Sequence, residues 1–323
     1  MSKYLIASWV LSAFLVFAAG CPPTGPDVVE VPDMVEAPEA VEAPEAVEVQ
    51  EVPESVETPE VPKAEKADAA SFHSKSAEIL NNSVNDDGTV NYRALKRKKL
   101  QLWALLDEFY NLDSDTYNKW STEDKIAFWI NAYNLQLLKI IVDNYPIEPS
   151  RIFLVLWPPS SIRHINKQIG GIDKQKFIIM NEEFTLRQIE DSIFRRQFGQ
   201  SCAFLALSRA SLSGPPLRNE PYYGDRLSQQ LDDQARRFLS SPLAFNIDAD
   251  EKAVYLSALF RPRWFGSEFV SKYGTEKKFK DHEPVVRAAL NFVSGYISPK
   301  DVAFLETEAY TVKYLNYDWR LNE

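Results

Sequence analysis

Residues 121–146, STEDKIAFWINAYNLQLLKIIVDNYP, decide how the rest of this chain is read. Ser121 with Asp124 three positions on is an N-terminal capping signal, and Pro146 closes the run, so the spacing predicts one long helix between them. Ile126, Phe128, Trp129, Ile130, Tyr133, Leu137, Leu138 and Ile141 do not keep to one stripe; they go nearly all round the cylinder. A helix that is apolar on every side is a central one, wrapped by other elements. Asn131 and Asn134 then share a buried face, and buried amides must be hydrogen-bonded. They either brace neighbouring backbone or point into a binding site.

Outward from this helix, NDDGTVNY (residues 85–92) reads as a turn entering a strand. RIFLVLW (151–157), KFIIMN (176–181), AFLALS (203–208) and AVYLS (253–257) read as strands from their short apolar runs. Thr185 with Gln188 caps a helix, LRQIEDSIFRRQF, along which Arg187, Glu190, Asp191 and Arg195 form spaced pairs on a solvated face. Further helices are expected over 226–239, over 283–296, and after Ser298-Pro299. Helices and strands mix without a clean alternation. The expected class is α+β, a single compact domain with a buried central helix and a small mixed or antiparallel sheet.

The domain is expected over residues 72–323, behind two segments of different composition. Residues 1–20 have the order of a secretory signal: Lys3, an apolar run over 4–19, then small residues. That run of 16 residues is short for a membrane span of ~20. It leads into Cys21 as Ala18-Ala19-Gly20-Cys21, which resembles a bacterial lipoprotein box, with Cys21 as the lipidated residue. An ordinary cleaved signal or an uncleaved anchor is the alternative. Two or three acyl chains would hold the protein stably in a membrane. Pro22, where an Asp would suggest inner-membrane retention, favours an outer-membrane address where the organism has one. Residues 21–71 read as the lipidated cysteine followed by a disordered stalk. VEAPEA occurs twice in tandem, and residues 22–71 hold 9 of the 20 prolines, 14 acidic side chains and no aromatic one. Such a segment has too little apolar surface to offset its ordering entropy. The segment reads as a stalk, with a docking strip for a basic partner or for peptidoglycan as the alternative; the protein's expected partners are the membrane through Cys21 and peptidoglycan or an envelope protein.

The net charge of −10 resides in that stalk, because residues 72–323 carry 33 basic against 32 acidic side chains. No basic footprint for nucleic acid is present. With Cys21 given to lipid, only Cys202 remains, so no intrachain disulfide can form. Histidine occurs at 73, 164 and 282, without His-x-x-x-His or His-x-His spacing, and neither a metal nor a cofactor is expected.

For nucleophilic chemistry the stretch ALSRASLSGPPLRNEPY (206–222) draws attention, with small hydroxyl residues after an apolar run. Ser208 and Ser213 are candidate nucleophiles, and His164, in the polar stretch SSIRHINKQIGG, is a candidate base. None lies in a Gly-x-Ser-x-Gly elbow or a Ser-x-x-Lys motif. Asn131, Asn134, Arg209 and Arg218 are the candidate binding residues, a guanidinium being suited to an anionic group.

DGTVNY, FWINAYNLQLL, FTLRQIEDSIFRR, FLALSRASLSGPPLRNEPY, VYLSALF and YLNYDWRLN, in that order, resemble domain-of-unknown-function family 547 over most of residues 80–322. The family has no agreed activity, so the resemblance implies a domain and not a reaction. Family members read approximately Ala-Leu-x-Cys-Gly-Ala-Lys-Ser-Cys-Pro-Pro-Leu in the loop. By that resemblance the two cysteines fall on Arg209 and Gly214 and the lysine on Leu212, while Asp191 stands where many relatives carry histidine. The loop is therefore expected to be a retained scaffold without its reactive group. A cell-envelope, lipid-anchored binding module without catalysis follows; a hydrolase or acyl transferase on peptide or cell-wall bonds is the alternative.

Overall fold

The computed structural model describes residues 65–165, 171–198, 203–261, 267–275 and 277–323, with the backbone alone for 65–72. The signal segment, Cys21, residues 22–64 of the stalk and Cys202 lie outside the described residues. Helix α1 (Glu65–Ser83) begins ahead of residue 72. It is followed by α2 (Tyr92–Arg97), α3 (Lys99–Asn111), α4 (Ser114–Asn118) and the long α5 (Thr122–Asn144). Next come the hairpin of β1 (Lys176–Ile179) and β2 (Glu182–Thr185), then α6 (Leu186–Gln188), which runs on as a π-helix over Ile189–Gln197. After α7 (Leu227–Leu239) the chain forms β3 (Phe245–Asp248), β4 (Ala253–Leu256), α8 (Ser267–Tyr273), α9 (Pro284–Ser294), α10 (Pro299–Leu305) and β5 (Thr311–Tyr314). β3 pairs antiparallel with β4, and β4 parallel with β5, so this second sheet is mixed. The described part is mostly helical with two small sheets, the α+β class its sequence implied.

α5 starts where its cap predicts: the Ser121 hydroxyl accepts the Asp124 N–H at 3.0 Å. Residues 126–138 are buried without a break, so this helix is the axis of the first core. Trp129 donates its indole N–H to the Tyr117 hydroxyl at 2.8 Å, which satisfies the one polar atom that so large a buried side chain brings with it. A second core forms between the C-terminal half of α7, α8, α9 and the mixed sheet, around Phe238, Phe260, Phe269 and Phe292. Residues 203–217 pass between the two. Phe204 and Leu205 belong to the second core, and Ala206, Leu207, Ala210 and Leu217 to the first.

Three expected strands are absent: past the turn at Gly88 the chain makes a single bridge, Val84 with Val90, before α2 starts at Tyr92, and the other two fail for local reasons. Residues 203–208 form a 3-10 turn, Ala203–Leu205, and then irregular chain. Side-chain amides do there what a neighbouring strand would do. Asn134 bonds both Ala206 O and Ser208 N–H, and Gln234 bonds Leu205 O. Residues 151–157 are a 3-10 turn, Arg151–Phe153, continued by bonds from Leu156 and Trp157 N–H to Phe153 O. Pro158 and Pro159, which have no N–H to give a sheet, end it.

Candidate functional site

The loop of residues 208–214 is closed by bonds from both sides. From beneath, Asn134 on α5 accepts the Ser208 N–H at 2.8 Å and donates to Ala206 O at 2.9 Å. From above comes the segment 317–322. The Ser211 and Tyr317 hydroxyls are 2.8 Å apart, and Leu212 N–H donates to Arg320 O at 2.9 Å. Ser213 Oγ accepts the Asp318 N–H at 2.9 Å, and its own N–H donates to Asp318 O at 3.3 Å. Ser208 Oγ accepts the Ala210 N–H at 3.3 Å, a turn that carries Ala210 into the left-handed region at φ 47°. All three serines are 2–3 % exposed. The turn at Gly88 seats on the loop's far end. Its φ of +86° already favours glycine, and a Cβ there would stand 2.4 Å from the Pro216 Cβ.

Arg209 does not reach out of this loop. Its Nη1 and Nη2 meet the two carboxylate oxygens of Glu190 at 2.7 and 3.0 Å, and Tyr133 donates its hydroxyl to the same carboxylate at 2.8 Å. The two charged side chains are 6 % and 10 % exposed. Glu190 was expected on a solvated face; instead it sits on the buried side of the π-helix with Ile189, Ile193 and Phe194, while Asp191 pairs outward with Arg187 and Arg195. Burial opposes the charge on Arg209, but Glu190 and Tyr133 outweigh it and hold the guanidinium more firmly protonated than usual. Burial also drives the Tyr133 hydroxyl well above its ordinary pKa, and that of Tyr317 up to about 12.

Asp173 faces this cluster, and burial, then the Glu190 charge, raises its pKa. A raised pKa means that the folded state holds the proton more tightly than the unfolded chain. The ionised carboxylate therefore costs stability at neutral pH, and that cost is relieved as pH falls through the folded pKa. Asp173→Asn is expected to melt higher than wild type at neutral pH, with the gap closing as pH falls toward the ordinary value of ~3.9. A gap independent of pH in thermal melts would reject this assignment.

The other candidates are also engaged internally. Asn131 takes both backbone atoms of Tyr222, its Nδ2 donating to the carbonyl and its Oδ1 accepting the N–H, each at 2.8 Å. The same Nδ2 lies 3.3 Å from His73 Nδ1, so His73 is a buried neighbour of α5. Burial, only partly offset by Asp124 and Asp225, lowers the pKa of His73. His164 bridges its own loop: Nδ1 accepts the Ser150 N–H at 3.3 Å, and Nε2 lies 3.0 Å from Pro158 O. Among the described residues no hydrogen bond joins it to Ser208 or Ser213. It lines a cleft of about 460 Å³ with Lys96 and Tyr145, whereas Ser211 and Gly214 line a different cleft. Arg218 pairs with Glu220 at 2.6 Å and with Asp233. Among the described residues no three His, Cys, Asp or Glu side chains stand together as metal ligands.

What remains open beside the loop is a cleft of about 350 Å³, walled by Asp86, Thr89, Ser211, Arg237 and Ser241. Arg237 donates to Asp86 O, and Asp87 accepts from the Thr89 hydroxyl at 2.7 Å, which with the Thr89 N–H lowers the carboxyl pKa. These are hydrogen-bond donors and acceptors held in place by their own side-chain and backbone bonds.

Such geometry defines an α+β domain with a polar cleft beside a closed loop. Residues 117–239 carry the domain described as "Protein of unknown function, DUF547". The match runs from Tyr117 in α4 to Leu239 at the end of α7, taking in α5, the π-helix and the loop, and it stops short of the mixed sheet and segment 317–322. No curated protein and no solved structure shows a significant match. Within the matched span Arg209 is ion-paired to Glu190, the chain neighbour of Asp191.

Proposed function

We propose that the DUF547 domain is a non-catalytic binding module, taking a polar ligand in the cleft of Asp86, Thr89, Ser211, Arg237 and Ser241. The observation that carries this is the condition of the 208–214 loop: its hydroxyls are buried and bonded to its own backbone or to residues 317–318, and its guanidinium is closed on Glu190. A serine nucleophile needs a base at hydrogen-bond reach. Both ring nitrogens of His164 meet backbone atoms of residues 150 and 158 instead. The donors and acceptors of the cleft suit a ligand rich in hydroxyl and amide groups, the chemistry of peptidoglycan. A lipid on Cys21 would hold the protein to the cell envelope, at the outer membrane where there is one, with residues 22–71 as a stalk.

The test pairs binding with turnover on the full chain. Purified peptidoglycan is expected to sediment the protein, and Arg237→Glu to weaken this by about tenfold, the equivalent of one lost charge-assisted contact. Hydrolysis or transfer that is lost on Ser208→Ala or His164→Ala would overturn the proposal in favour of an enzyme.

A further inference from the structure

Residues 151–157 present a surface that the cleft does not explain. Ile152 is 81 % exposed, Val155 92 %, Leu156 70 % and Leu154 43 %, four aliphatic side chains on one turn. Soluble surfaces scatter such residues singly, and a contiguous group marks an interaction site. The rings of this turn face the protein instead. Phe153 and Trp157 stack at 4.6 Å, and Arg163 lies 4.9 Å over both Trp157 and Trp319.

A basic segment lies across one cleft from His164, whose ring packs against Trp157 of the turn. Residues 93–99, RALKRKK, carry five basic side chains and no acidic one. Lys96 donates to Tyr145 O and lines one cleft with Tyr145, Glu148 and His164, which puts the basic segment next to the approach to the turn. Arg93, Arg97 and Lys98 are exposed, as are Arg151 and Arg163 at the turn itself.

We propose that this face rests on an anionic lipid surface, with the 151–157 turn entering the boundary between headgroups and acyl chains and segment 93–99 over the lipid phosphates. Aliphatic groups partition into that boundary, and each basic side chain near an anionic leaflet adds attraction. A protein partner is disfavoured because the turn keeps its aromatic rings inward, whereas protein hot spots are aromatic anchors in pockets. A second copy would set the basic segments against each other. The contact is independent of the polar cleft and of lipidation at Cys21.

The test is hydrogen–deuterium exchange on the full chain, alone, with phosphatidylcholine vesicles, and with vesicles of equal parts phosphatidylglycerol and phosphatidylcholine. Amides 151–157 are expected to exchange at least about tenfold more slowly on the anionic vesicles, and less so on the neutral ones. Val155→Asp with Leu156→Asp, both at exposed positions, should abolish that protection and leave the melting temperature unchanged. Arg97→Glu with Lys98→Glu should reduce it to the neutral-vesicle level. Exchange unaltered by anionic vesicles, or protection that survives the double aspartate variant, overturns the proposal. So does protection without lipid that grows with protein concentration, which would assign the face to a second copy.

Discussion

Glu190→Gln is expected to lower the unfolding free energy by about 3–5 kcal/mol, the cost of leaving a buried charge uncompensated. The substitution hardly changes volume, so the loss reports the Arg209 guanidinium, closed away from water and without its carboxylate. Arg209→Met should cost a similar amount by the opposite route. Replacing both, Glu190→Leu with Arg209→Met, should recover most of it, because the desolvation of the pair disappears along with its attraction. The remainder, about 1–3 kcal/mol, is the Tyr133 hydroxyl left without its acceptor. Urea unfolding of the four proteins measures this. Single variants within about 1 kcal/mol of wild type would mean that water reaches the pair and that the loop is open.

Asn134→Leu should be as damaging for a different reason. The side chains match in size, but Ala206 O and Ser208 N–H would lose partners inside the protein, at about 1–3 kcal/mol each. Asn134→Asp separates the two contributions: it keeps an acceptor for Ser208 and turns a second oxygen toward the Ala206 carbonyl, so its damage should centre on residue 206. Faster amide exchange over residues 203–213 in Asn134→Leu, with the mixed sheet still protected, would show that the damage begins at the loop. Uniform acceleration would instead make Asn134 a support of the whole first core.

Much of this architecture was legible. The cap at Ser121, the all-round apolar pattern and Pro146 delimit α5, and Thr185 with Gln188 marks the start of α6 through a capping box whose two bonds are both present. What was not legible has two physical causes. An apolar run buried on all sides has no period, so residues 203–208 read as a strand although amides from α5 and α7 hold them irregular. Long-range partners leave no local mark. Nothing near Ser213 announces Asp318, and nothing near Ser211 announces Tyr317. One signal was present and missed. Leu186, Ile189, Ile193 and Phe194 form an apolar stripe, and Glu190 lies on it; a carboxylate there requires a buried cation.

The side-chain bonds that close the loop from above join residues 105 and 106 positions apart. During synthesis, therefore, the loop cannot be sealed until about a hundred further residues have left the ribosome, and loop closure of that span is slow relative to forming the helices beneath it. Until then its serines and the seam between the two cores stay open to whatever binds nascent chains.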